Sequence, residues 1–260
     1  MKTMVSFSGG KDSTAMLLKL LEDGEQIDEI VFADTGFEYP ELYDYIKKIE
    51  ELMGRKITIL NQDQRLFDKW FYGKYSRGKN TDRIRGFPYV ICQCWFMREV
   101  KLKPLQKYQK KFDVVYVGIA YDEQNRIKDD PRIRYPLNEW KWTEQDCVNY
   151  LNKKGLLNPL YLNVARLGCW HCPYQSKSCL YVLWKNYPDL WIRLKKYEAD
   201  SPHGFKPDMK LIDLEKEFEK SPPKRKVEFV CYQCKGVKKA FESCQMNLVA
   251  KKSEIERLKQ

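Results

Sequence analysis

Met4-Val5-Ser6-Phe7-Ser8-Gly9-Gly10-Lys11-Asp12-Ser13 is the stretch that decides how this chain folds. A short run of β-formers leads into two glycines, then a lysine, then acidic and hydroxyl residues. The helical apolar pattern Ala15, Leu17, Leu18, Leu21 follows. That order builds a phosphate cradle. Glycines let the backbone approach an anion, and the helix behind them aims free N–H groups and its positive dipole end at it. Lys11 adds a full charge, and Ser8 and Ser13 can donate hydroxyl hydrogen bonds. The spacing is neither that of a Walker A loop nor that of G-x-G-x-x-G.

Working outward, strand signals at Met4–Phe7, Glu29–Ala33, Lys56–Leu60 and Asp113–Gly118 alternate with helix signals at Asp12–Leu21, Pro40–Met53 and Arg98–Tyr108. Pro40 and Glu41 suit a helix start, and Gly54 suits its end. Alternation of this kind predicts an α/β fold, a parallel sheet with helices on both faces. Ligands in such sheets bind beyond the carboxyl ends of the strands. The Ser8 loop and the Asp34-Thr35-Gly36 loop both lie there. Residues 61–90, polar, aromatic and basic (Arg77, Lys79, Arg83, Arg85), read as a mobile excursion near the site. A further helix is expected from Thr143, as N-cap with Asp146 at N3, to about Lys153, with Gly155 in its terminal turn. Residues 180–200 read as helical, with Trp184, Tyr187, Trp191 and Tyr197 packing rather than stacking on bases. Ser221-Pro222-Pro223 breaks the chain before a cysteine-containing tail, and Ala250–Gln260 reads as a charged helix or a frayed end.

With 260 residues, 43% of them apolar, the chain suits one large domain or a domain with an appendage. No apolar run approaches the ~18 residues of a membrane span. The first strand begins at once, without the apolar core of a signal peptide, which predicts a cytoplasmic protein and no membrane partner. Its nine cysteines then read as metal ligands or redox thiols rather than a disulfide framework. A net charge of +11 favours polyanionic partners such as RNA, DNA or nucleotides. A lysine-rich solvated surface is the alternative.

The hexapeptide Ser8–Ser13 resembles the PP-loop (SGGxDS) of the adenine-nucleotide alpha-hydrolase-like superfamily. Phe32-Ala33-Asp34-Thr35-Gly36-Phe37-Glu38-Tyr39-Pro40-Glu41 resembles the "DTG…PE" segment of the phosphoadenosine-phosphosulfate (PAPS) reductase family within it. Lys103-Pro104-Leu105, Val117–Arg126, Arg134–Trp140, Asn158-Pro159-Leu160-Tyr161 and Gly168-Cys169-Trp170-His171-Cys172-Pro173 continue the resemblance in family order. What it implies is a Rossmann-like PP-loop (HUP-type) domain over residues 1–165 and a cysteine-containing, mainly helical extension over 166–260. It implies an adenine nucleotide, ATP with Mg2+, held by Ser6, Phe7, Ser8, Gly9, Gly10, Lys11, Asp12 and Ser13, with Asp34 and Thr35 near the adenosine and Gly118 on the opposite wall. Lys11, Asp12 and Ser13 are the candidate catalytic residues, Asp12 being the candidate for Mg2+.

Two departures point away from PAPS itself. The family's "ECGxH" nucleophile segment has only Glu242-Ser243-Cys244-Gln245-Met246 as its counterpart, and Ala120 stands where many members carry an arginine. The resemblance is then to the ATP-using relatives, which adenylate a substrate and in many cases insert sulfur. A tRNA or DNA acceptor and a persulfide sulfur donor are the expected partners. A sulfonucleotide reductase and a non-catalytic nucleotide- and nucleic-acid-binding protein are the alternatives.

Cys92-Gln93-Cys94 and Cys169-Trp170-His171-Cys172 form a candidate four-thiolate metal site. It resembles the "CC…CxxC" ligation of the 4Fe-4S cluster in sulfonucleotide reductases. Gln93 interrupts the first pair, so Cys94 alone can be the ligand there, with Cys179 or His171 as the fourth. Soft thiolates select Fe–S or, alternatively, Zn2+ over Mg2+. Cys231 and Cys234, with Cys244, form a second group: a zinc knuckle, a persulfide-accepting dithiol or ordinary reduced thiols. Cys147 reads as a small apolar core residue.

Overall fold

The computed structural model describes residues 1–223, apart from 61–64, 88, 91–92, 165 and 207–208. The expectations for Cys92, Cys231, Cys234, Cys244 and the 250–260 segment lie outside the described residues.

The first half runs β1 (Thr3–Phe7), α1 (Lys11–Glu22), β2 (Glu29–Ala33), α2 (Pro40–Met53), β3 (Thr58–Leu60) and α3 (Arg65–Phe71). A two-stranded antiparallel ribbon, β4 (Tyr89–Val90) and β5 (Gln93–Cys94), leads into a helical stretch. That stretch comprises α4 (Trp95–Met97), a π-helical turn over Arg98–Leu102, and α5 (Lys103–Gln109). Pro104 has no N–H to give to the preceding turn and its ring crowds the carbonyl four residues back, which accounts for the wider turn just ahead of it. The helix expected from Arg98 therefore begins earlier, at Trp95, and is not uniformly α.

Next come β6 (Val114–Val117), a 3-10 segment over Tyr121–Arg126, β7 (Ile133–Arg134), α6 (Pro136–Glu139) and α7 (Glu144–Lys154). A second 3-10 turn over Pro159–Leu162 precedes α8 (Lys177–Asn186), α9 (Pro188–Asp200) and α10 (Leu211–Lys220). Helix ends fall where cap chemistry puts them. Thr143 and Asp146 form a reciprocal capping box on α7, and Gly54 and Gly155 close α2 and α7 in the left-handed conformation.

Five parallel strands are ordered β3-β2-β1-β6-β7, with Val5 opposite Ile30 on one side and Tyr116 on the other. Successive side chains alternate between the two faces. Val5, Phe7, Ile30 and Phe32 enter the large core with α1, α2, α7 and the C-terminal helices, whose Leu180, Leu194 and Leu214 belong to the same cluster. Met4, Val31 and Val115 enter a smaller core with Phe112, against which Leu105 and Tyr108 of α5 pack. The fold is thus Rossmann-like α/β with both sheet faces covered, as expected. At β1 the strand order reverses direction, which is where such sheets open a crevice for ligands.

The segment expected to be a mobile excursion is instead anchored over its described part. Phe67 and Phe71 of α3 and Phe87 are buried, with Phe67 against Phe37, Phe96 and Tyr197.

Candidate functional site

The Ser8–Ser13 loop leaves β1 and turns into α1 with Gly9 in the left-handed conformation (φ 69°). It is tied together by its own hydroxyls. The Ser8 N–H donates to Ser13 Oγ at 3.1 Å, the two hydroxyls meet at 2.9 Å, and the Thr14 hydroxyl donates to the Gly10 carbonyl at 2.8 Å. Distant residues brace it from outside. Asn158 Nδ2, fully buried, donates to the Gly9 carbonyl at 2.9 Å, and the Lys11 N–H donates to the Tyr161 hydroxyl at 3.1 Å. Gly118, at the end of β6, lies against the loop's far end: a Cβ there would come within 2.9 Å of the Ser13 Cα and N. Its absence of a side chain lets β6 approach the start of α1.

The Lys11 ammonium is almost fully buried and sits between two carboxylates, 2.9 Å from Asp12 Oδ2 and 2.5 Å from Glu144 Oε1. Burial alone would depress its pKa. The charges of Asp12, Tyr161 and Glu144 outweigh it and hold the lysine above its ordinary range, so it stays protonated. Asp12 is pushed upward, first by burial and then by the nearby Glu144 and Glu123, with Lys11 opposing. Its Oδ1 is buried and has no hydrogen-bond partner among the described residues. Asp12, Glu123 and Glu144 each bring a carboxylate oxygen within 4.8 Å of the others. Such hard oxygen donors fit a cation of the Mg2+ type. Cys147, one turn into α7, is buried beside Asp12, and burial and that charge both raise its thiol pKa.

At the end of β2, Asp34 Oδ1 accepts from the Gly36 N–H at 2.7 Å and from the Tyr43 hydroxyl at 2.8 Å. Thr35 Oγ1 donates to Glu38 Oε1 at 3.1 Å and accepts from the Cys169 thiol at 3.4 Å. The Trp170 N–H donates to the Phe37 carbonyl at 2.9 Å. These bonds fasten the Cys169–Cys172 segment to the loop after β2.

Cys94 precedes α4, while Cys169 and Cys172 occupy a turn ahead of α8. Cys172 acts electrostatically on both other thiols, and burial raises the pKa of all three. The donor set is soft and fits Fe–S or zinc. Among the described residues no three thiols come within 4.8 Å of one another. A zinc with Zn–S bonds of about 2.3 Å places its sulfurs about 3.8 Å apart.

The two candidates for a fourth ligand differ in setting. Cys179 is buried close to Tyr39, which also feels Cys172. His171 turns into the aromatic core, its ring 4.4 Å from Phe37 and 4.6 Å from Phe67, and burial lowers its pKa to about 3. Its imidazole is therefore neutral and packed among aromatic rings in this structure. Ala120 is fully buried and offers no donor where an arginine was the family alternative.

The structure thus brings Ser8, Gly9, Gly10, Lys11, Asp12 and Ser13 together with Gly118, which packs against the start of α1. Ser6 and Phe7 are inside β1, Phe7 with its side chain in the core. Glu144, Glu123, Asn158 and Tyr161 stand beside the Ser8–Ser13 loop and were left without roles by sequence reasoning, although Asn158, Tyr161 and Glu123 stood inside quoted motifs.

Residues 2–175 match the family model described as phosphoadenosine phosphosulfate reductase domain. An uncharacterized protein of Methanocaldococcus jannaschii is 27% identical over 216 residues, 75% of this chain and 48% of its own, so the chain spans about half of that relative. A phosphoadenosine 5'-phosphosulfate reductase of Aliivibrio salmonicida is 23% identical over 181 residues, 63% of this chain and 66% of its own. Among solved structures, the U34-tRNA thiolase NcsA from Methanococcus maripaludis with its 4Fe-4S cluster has 19% identity and a TM-score of 0.44. The match covers 88% of this chain and 84% of that one. No described helix is long and apolar enough to cross a membrane.

Proposed function

The chain belongs to the phosphoadenosine phosphosulfate reductase domain family, and within it we propose an ATP-using enzyme that adenylates a substrate, releases pyrophosphate and transfers sulfur to the activated position. The observation that carries this reading is the Lys11–Asp12–Glu144 arrangement at the start of α1. It pairs a buried, permanently charged ammonium with a carboxylate oxygen that has no hydrogen-bond partner among the described residues.

In this reading the β- and γ-phosphates of ATP lie on the Ser8–Ser13 backbone and the N-terminus of α1. Lys11 exchanges its carboxylates for phosphate oxygens and stabilises the negative charge that builds on departing pyrophosphate. Asp12 and Glu144, released from Lys11, would hold Mg2+ together with Glu123, whose present partner is Arg126; the ion would supply further charge neutralisation on the phosphates. The substrate oxygen attacks the α-phosphorus and pyrophosphate leaves with the bonding electrons, giving an adenylated substrate. Attack of a reduced sulfur nucleophile at the activated carbon then expels AMP. Asp34 and Thr35 shape the adenosine side of the crevice, and Cys94, Cys169 and Cys172, with Cys92, would hold the metal centre. A 4Fe-4S cluster there would supply a soft binding place for the transferred sulfur, and zinc would only brace the segment.

The test is formation of AMP and pyrophosphate from α-labelled ATP with Mg2+, with bulk tRNA as acceptor. Lys11→Ala should lower it at least about a hundredfold, in line with the loss of a preorganised charge partner. Unchanged pyrophosphate release in that variant would overturn the mechanism. Thioredoxin-dependent sulfite release from PAPS would establish the reductase alternative instead.

A further inference from the structure

Between α3 and β4 the chain forms a feature that the crevice chemistry does not use. Residues 73–86 fold back on themselves as a short finger. The Tyr75 N–H donates to the Arg83 carbonyl at 3.0 Å, the Asp82 N–H to the Tyr75 carbonyl at 3.0 Å, and the Arg85 N–H to the Gly73 carbonyl at 2.8 Å. Its tip turns at Gly78, whose carbonyl accepts from the Thr81 hydroxyl at 2.7 Å. Its root is clamped. The Gly86 N–H bonds the Phe71 carbonyl, and a Cβ on Gly86 would come within 2.5 Å of Ser201 Oγ and 2.7 Å of Pro202 Cδ.

Residues 76–83 are exposed throughout, and none of them carries an apolar side chain. Lys74, Arg77, Lys79 and Arg83 stand on the finger against a single acid, Asp82, and none of the four is in an ion pair with a described residue. Four unneutralised charges on a braced loop without apolar surface suit a polyanion rather than a protein face.

At the root the chemistry changes. The Arg85 guanidinium lies 4.4 Å over the Trp70 ring, and Trp70 stacks on Trp95 with centroids 3.9 Å apart and planes 17° from parallel. All three residues are partly exposed, and the buried Trp70 Nε1 has no acceptor among the described residues. Trp95 directly follows Cys94, so this aromatic platform adjoins the cysteine site. A positive track leading to a stacked aromatic platform is the pattern by which single strands are held: phosphates along the charges, an unstacked base on the rings.

We propose that the finger and the Arg85–Trp70–Trp95 stack bind a single-stranded nucleic acid and present one of its bases beside Cys94. This names the acceptor class for the proposed function and rests on that reading for its purpose, although binding itself needs no ATP.

The experiment is fluorescence anisotropy of the full chain with labelled single-stranded 20-mers, one ribo- and one deoxyribonucleotide, and a duplex of the same sequence, over a range of salt concentrations. Single strands should bind more tightly than the duplex, and the ribo/deoxyribo ratio identifies the sugar of the natural partner. The exposed triple variant Arg77→Gln, Lys79→Gln, Arg83→Gln should keep the parent's thermal melt. Its binding should weaken about tenfold or more, and the log–log salt slope should become shallower by about 2, the value for three lost single-strand phosphate contacts.

Duplex preference would overturn the proposal. So would an unchanged slope in the finger variant, whether or not a control variant (Lys235→Gln, Lys238→Gln, Lys239→Gln) lost binding. Because the assay contains no ATP, loss of the adenylation reading would leave a positive result standing, and a negative result here would leave pyrophosphate release untouched.

Discussion

The anion loop follows β1 and the cysteine segment is tied to the loop after its neighbour β2, yet they are built on opposite principles. Between Ser8 and Ser13 the hydroxyls are spent on the loop itself, and Asn158 and Tyr161 hold it from outside. It is complete before any ligand arrives. Cys94, Cys169 and Cys172 are donors kept as half-buried thiols, their pKa values raised by desolvation. A soft centre there must expel protons to form. The difference teaches that backbone can preorganise a site for hard anions cheaply, whereas a thiolate site stores its charge only once a metal is present.

The sharpest way to break this contrast is to compare Lys11→Ala with Cys169→Ser. The first should abolish pyrophosphate release by about a hundredfold or more. The second should remove iron and the visible absorption near ~400 nm from anaerobically purified protein. Stoichiometric zinc without iron would remove the sulfur-carrying role from the cysteine site.

A second test concerns what lies behind the cysteines. His171 titrates at about 3 in the fold and near 6.5 when unfolded. Below pH ~6.5 the unfolded chain therefore binds the extra proton, and stability falls as pH drops toward 3 by at most about 1.4 kcal/mol per unit. Denaturant melts of His171→Leu should lose that part of the acid sensitivity. If the variant instead lost its iron with unchanged acid melts, His171 would be a ligand after all.

Gly118→Ala probes the loop side. Its Cβ would press on the Ser13 backbone, costing about 1–3 kcal/mol, read as a lower melting temperature and weaker ATP binding. An unchanged melt would show that the loop is less fixed than its contacts imply. Smallest in effect, alkylation of Cys94 and Cys172 by iodoacetamide should be slow at neutral pH and rise only above the ordinary thiol range, near ~8.5. Fast labelling at pH 7 would mean that thiolates are already present.

Much of this was legible in the residue order. The strand–SGGKDS–helix sequence, the Pro40 start, the Gly54 and Gly155 ends and the Thr143 cap are local signals, and each appears where local chemistry puts it. The site's outer half was not legible because it is assembled across distance. Glu144 reads as an ordinary acid in a first helical turn, and only the packing of α7 on α1 sets it against Lys11. Asn158 and Tyr161 carry motif identity but no visible target until the chain returns to Gly9. β7 has two residues, too few for any period to show. The aromatic core around Phe37, Phe67 and His171 draws on three separate segments, so the ring contacts of a histidine inside a Cys-x-x-Cys spacing have no signature in the residue order.

The Thr35 hydroxyl has one proton to give. It now spends that proton on Glu38 and receives another from the Cys169 thiol. Should a metal displace the Cys169 proton to solvent, the sulfur becomes an acceptor where it had been a donor, and Thr35 faces two acceptors with one proton. Whichever it deserts loses a hydrogen bond, so the protonation state of the sulfur is written into the posture of the loop that follows β2.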